Sequence, residues 1–156
     1  MGRKEEAKVL KAMKAAKTAK EMRNSWHAQR PGFKDPEGPS PLDLYTERKP
    51  EMIFTFAHNA LTQLVERDVL DPKTRYLVII GCYMMIWEWG GLLQQCCNAK
   101  AAGATDDEIM EVAFIADYAV GKHMMCGTGG ALAKVFDSSI YKSIKKQGAK
   151  GKAGAR

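Results

Sequence analysis

The chain has 156 residues, 46% of them apolar, with 24 Lys/Arg against 18 Asp/Glu. That length fits one domain, whose core can bury about two-thirds of the unfolded surface, and argues against a second. The longest apolar run, residues 76–87, is about half of the roughly twenty residues a bilayer-spanning helix requires, which excludes a membrane span. Residues 4–24 are rich in Lys, Ala, Glu and Met, and Val9, Met13, Ala16 and Met22 recur at a spacing that predicts a weakly amphipathic helix. Pro31, Pro36, Pro39 and Pro41 then mark an irregular linker to about Leu42.

From Pro50, apolar residues at three and four spacing (Ile53, Phe54, Ala57, Leu61, Leu64) predict a helix as far as Asp68. Asp71 as N-cap and Pro72 at the first helical position start the next, which runs through Tyr76 to Trp89. Gly90 and Gly91 interrupt it, so two helices meet there. The second runs from Leu92 to Ala102 and ends at Gly103, suited to a left-handed cap. Thr105 and Glu108 then have capping-box spacing, with Ile109, Val112, Ala113, Ile115 and Ala116 on one side of the helix that follows. A last helix is expected from His123 to about Ile144, and the Lys/Gly/Ala-rich end should be disordered. The reading is all-α.

Residues 1–30 carry nine Lys/Arg against three acids and residues 141–156 six against none, so the middle of the chain has a net charge of −6. Basic character belongs to the termini, and any polyelectrolyte binding would occur there. The opening Gly2-Arg3-Lys4-Glu5-Glu6 is charged where a secretory signal would be apolar, so a cytoplasmic location is expected. Cys82, Cys96, Cys97 and Cys126 lack CxxC or CxxH spacing. They read as reduced thiols, the adjacent pair being helix residues on different faces.

The segment Leu70-Asp71-Pro72-Lys73-Thr74-Arg75, the apolar helix after it, and Ala99-Lys100-Ala101-Ala102-Gly103-Ala104-Thr105-Asp106-Asp107-Glu108-Ile109 resemble the carboxymuconolactone decarboxylase and alkylhydroperoxidase D superfamily. The resemblance covers about residues 50–137. It implies a compact helical bundle that oligomerises, and with the apolar surplus of these helices it predicts a homotrimer or homohexamer. It divides the chain into a basic N-terminal helix and linker (1–49), the helical domain (50–140) and a basic tail (141–156).

Counting back from Gly103, the peroxidase branch's histidine falls at Gln95, its two cysteines at Gly91 and Glu88, and its upstream glutamate at Tyr76. All four differ, so thiol peroxidase chemistry does not carry over. The decarboxylase branch's histidine is missing at Gln95 too.

Glu88, between Trp87 and Trp89 at the expected helix junction, is the first catalytic candidate. Between two indoles it would be desolvated, a setting that suits a carboxylate to proton transfer near neutral pH. His123 is the candidate assisting shuttle. Tyr76, Gly90, Gly91, Gln95 and His58 are candidate substrate-binding residues. The two glycines would offer backbone N–H groups to a carboxylate or oxyanion, or would simply let helices pack closely. No cofactor is expected; His58, Glu88 and His123 would make a two-His, one-carboxylate metal set only as a lesser alternative.

The leading expectation is a cofactor-independent, decarboxylase-like lyase or isomerase acting on a small carboxylated or carbonyl metabolite. The alternatives are a non-catalytic scaffold or binding protein using its basic termini, and a thiol redox protein using Cys96 or Cys97. Neither a membrane nor nucleic acid is the expected partner.

Overall fold

The computed structural model describes residues 3–27, 41–60, 66–67, 69–121 and 125–144. Among them all regular structure is helical: α1 (Arg3–Ala15), α2 (Ala19–His27), α3 (Pro41–Arg48), α4 (Pro50–Ala60), α5 (Pro72–Met85), α6 (Leu92–Ala101), α7 (Asp106–Val120), α8 (Met125–Asp137) and α9 (Ser139–Ser143). None of these helices is long and apolar enough to cross a membrane.

The first four helices pack chiefly on one another, α2 against α1, α3 and α4, and α3 against α4. Where one helix is expected over residues 4–24 there are two, because Thr18 and Glu21 form a capping box. Thr18 Oγ1 accepts from the Glu21 N–H at 3.2 Å, and Glu21 Oε2 accepts from the N–H groups of Lys17 (2.8 Å) and Thr18 (3.3 Å). Met13 of α1, Met22 of α2 and Ile53 of α4 are all buried. An Arg23–Asp43 ion pair joins α2 to α3, and Lys14 pairs with Glu66. The linker expected to reach Leu42 stops short of α3, which starts at Pro41. Most of that linker, residues 61–65 and the basic tail after Ile144 lie outside the described residues.

The other group is built on α5, which packs on both α6 and α7, while α6 also meets α8 and α9. Asp71 caps α5, its carboxylate accepting from the Thr74 N–H at 3.1 Å and the Thr74 hydroxyl at 2.5 Å. Gly81 allows α5 to approach α7: a Cβ there would lie 3.3 Å from Val112 Cγ1. α6 ends at Gly103, whose φ of 100° is the left-handed conformation that favours glycine. In α7, Ile109, Ala113 and Ala116 face the core, whereas Ile115, expected beside them, is exposed.

Instead of one last helix to Ile144, the chain breaks at Ser138 into α8 and α9. Tyr141, assigned from sequence to the start of the basic tail, is instead a core residue. Its hydroxyl donates to Asp106 Oδ1 at 2.6 Å, and the Lys100 ammonium lies 3.9 Å from its ring centroid. α6 is buried on nearly every side: Leu92, Gln94, Cys96, Cys97, Asn98, Ala99 and Ala101 are all enclosed, with Gln94 Nε2 donating to Asn98 Oδ1 at 3.0 Å.

The Thr105 capping box is present in full. Thr105 Oγ1 accepts from the Glu108 N–H at 3.0 Å, and Glu108 Oε2 accepts from the Thr105 N–H at 2.8 Å. Lys73 Nζ reaches the other carboxylate oxygen at 2.6 Å, tying the starts of α5 and α7 together. The Lys73 hydrogen bond, and after it the Thr105 N–H, hold the Glu108 carboxyl below its ordinary pKa. A depressed folded-state pKa contributes stability that is fully present above the ordinary carboxylate range and is lost as the pH falls below that range and through the depressed value. Both side chains are more than a third exposed, so screening limits the effect. Glu108→Gln is expected to cost about 0.5 kcal/mol at neutral pH and less at about pH 3. Urea unfolding at the two pH values measures the difference; an equal cost at both would show that the charge is irrelevant.

Candidate functional site

α5 and α6 meet in a loop over residues 86–91, where the sequence points to a site. α5 stops at Met85, short of the expected Trp89, and the Glu88 N–H closes the turn onto Tyr83 O at 2.9 Å. Trp87 has a φ of 59°, a left-handed conformation that is a genuine outlier for a bulky side chain. That conformation sends the two indoles the same way. Trp87 and Trp89 meet edge to face with centroids 5.9 Å apart, and both lie over Gly127 of α8, where a Cβ would come within 3.3 Å of Trp87 and 3.6 Å of Trp89.

Glu88 is therefore not sandwiched between the indoles. It is exposed, and its Oε1 lies over Gly90, 2.8 Å from where a Cβ would stand. Gly91 is the closer approach: a Cβ there would fall 2.3 Å from the Tyr83 ring. The two glycines thus have a packing role.

Of the other candidates, Gly90 and Gly91 share the loop with Glu88, whereas Tyr76 lies away from it. Tyr76 is buried in the core near the start of α5 with the Arg75 guanidinium 5.7 Å from its ring centroid, roughly 14 Å of helix from the end that carries the loop. Gln95 is half-buried, its Oε1 accepting a long 3.5 Å contact from Asn98 Nδ2. His58 is on α4, which packs chiefly with α2 and α3, and its side chain lies outside the described residues, as does all of His123. The two-His, one-carboxylate set therefore also falls largely outside them. Among the described residues no group of three or more His, Cys, Asp or Glu is placed to hold a metal ion.

Cys96 and Cys97 project from different faces of α6, as adjacent helix residues do, and both are buried because α6 is enclosed on nearly every side. Burial pushes the Cys97 thiol up to about 11 and the Cys96 thiol further above its ordinary value. Burial of this kind opposes thiolate formation at both positions.

Two features were missed from sequence. The first is a half-open cavity of about 400 Å³ beside the loop, lined by Trp89, Leu92 and Leu93 on one side and by Cys126, Gly127, Gly130, Ala131, Lys134 and Val135 of α8 on the other. Its sequence signal is the three and four spacing of small residues along one face of α8, which leaves unfilled space. Glu88 does not line it.

The second is the outer surface of α7. Met110, Phe114 and Tyr118 recur every fourth residue and Ile115 lies beside them; all are exposed, Phe114 at 67% and Tyr118 at 82%. On the adjoining α5, Val78, Cys82 and Met85 form a second exposed row that continues into Ile86.

No protein-family model, curated protein or solved structure matches the chain.

Proposed function

We propose that the protein is a non-catalytic, self-associating scaffold on an alkylhydroperoxidase D-like helical fold. The observation that carries this reading is the outer face of α7. At roughly 150–250 Å² per aromatic side chain, Phe114 and Tyr118 alone leave on the order of 300 Å² of apolar surface in water. Met110, Ile115 and the α5 row take the total beyond what a monomer ordinarily exposes. The residues that carry the family resemblance support the fold assignment through structural work: Asp71 caps α5, Gly103 ends α6, and Thr105 with Glu108 starts α7. On α1 the exposed Lys4, Lys8 and Lys11 follow one helical face, which suits salt-sensitive contact with an acidic partner. Light scattering on the full chain at micromolar concentration should give the mass of a trimer or hexamer; a monomeric mass would overturn the reading.

One observation favours a second reading, the cofactor-independent lyase. Backbone strain of the kind held at Trp87 collects at functional sites, and here it presents the neighbouring carboxylate of Glu88. On this reading the chain releases carbon dioxide from a lactone carboxylic acid, and Glu88→Gln keeps fold and mass but lowers turnover roughly hundredfold or more. Turnover unchanged by Glu88→Gln would dismiss it.

A further inference from the structure

The cavity between α6 and α8 has a chemical character of its own. Its walls include Trp89, Leu92, Leu93, Ala131 and Val135, and Gly127 and Gly130 leave gaps between the side chains on its α8 side. Among the residues that line it, Lys134 carries the one charge, while Cys126 and Trp89 contribute a thiol and an indole N–H. No carboxylate lines it, and Lys134 has no ion-pair partner among the described residues. A volume of about 400 Å³ lies in the lower part of the range for small-molecule sites; engineered cavities less than half that size hold a benzene ring. A ligand that matches these walls is apolar over most of its surface, and one that matches the single cation carries one negative charge at the end nearest Lys134.

We propose that this cavity binds an apolar monoanion of about two fused rings or an equivalent alkyl chain, with the ring or chain against Trp89, Leu92 and Leu93 and the anionic group on Lys134. The proposal does not depend on self-association, since none of the lining residues belongs to the exposed rows of α5 and α7.

Isothermal titration calorimetry of the full chain with 2-naphthoate, and with the uncharged 2-naphthamide, tests both halves of the match. The carboxylate should bind roughly three- to tenfold more tightly than the amide. Lys134→Gln, at an exposed helix position where the fold does not depend on the side chain, should remove that preference and leave amide binding unchanged. Gly130→Phe should abolish binding of both. Gly130 lines the cavity and a Cβ on it meets nothing within 4 Å, so a ring there displaces no neighbour, and replacing a helical glycine favours the helix; the melting temperature should hold or rise. Absence of heat with both probes overturns the proposal. So does equal affinity for carboxylate and amide, a carboxylate preference that survives Lys134→Gln, or undiminished binding in a folded Gly130→Phe protein.

Discussion

If the protein self-associates through α7 as proposed, replacing Phe114 and Tyr118 together by glutamate is expected to convert it to a folded monomer. Each aromatic is exposed on the isolated chain, so neither substitution removes a core contact, and helix α7 keeps its buried row of Ile109, Ala113 and Ala116. In an assembly the same side chains would be buried centrally, where truncating an aromatic anchor costs about 2 kcal/mol or more. Two such losses, with two carboxylates left facing an apolar partner surface, raise the dissociation constant at least about a thousandfold. Sedimentation velocity at micromolar concentration reads the mass, and far-ultraviolet circular dichroism checks that the helices persist. If the double variant sediments like the parent protein, the α7 face is not the interface.

Ile80→Ala should have the largest effect on stability. Ile80 is fully buried on α5, the helix that packs on both α6 and α7, so the lost atoms leave a cavity bounded by elements that cannot easily close over it. A cost of about 2–5 kcal/mol is expected, against a few tenths for Val78→Ala one half-turn earlier, where the side chain is exposed. Chemical denaturation of the two variants measures the contrast. Similar losses at both positions would mean that Val78 is covered in solution, which is the outcome the assembly reading allows only in the oligomer, so the comparison belongs on the monomeric α7 variant.

The features legible in sequence are those decided by a side chain and the backbone beside it. Asp71, Gly103 and the Thr105–Glu108 pair each act within four residues of themselves, and each does in the structure what its position implies. The Thr18–Glu21 pair carries the same signature, yet it stands inside a run of strong helix formers that reads as uninterrupted. What could not be read depends on neighbours distant in the chain. Tyr141 looks like the start of a basic tail until its hydroxyl is seen on Asp106, and the burial of both Cys96 and Cys97 shows only when α6 is found among α5, α8 and α9. The surroundings of Glu88 differ from the expected ones for a related reason. Adjacency in sequence suggested that two indoles enclose Glu88, but the left-handed turn at Trp87 carries both rings onto Gly127 and leaves the carboxylate outside.

The enclosure of α6 also bears on how this sequence can change over time. Its buried side chains are mostly short, Cys96, Cys97, Asn98, Ala99 and Ala101, and a longer one at any of them would push against a neighbouring helix with no rotamer pointing to solvent. The outward rows of the flanking helices face no such limit within the monomer. Substitutions should therefore accumulate on the surface while the middle helix stays nearly fixed, and a descendant far removed from this chain would keep its kinship most clearly in the span from Gln94 to Ala101.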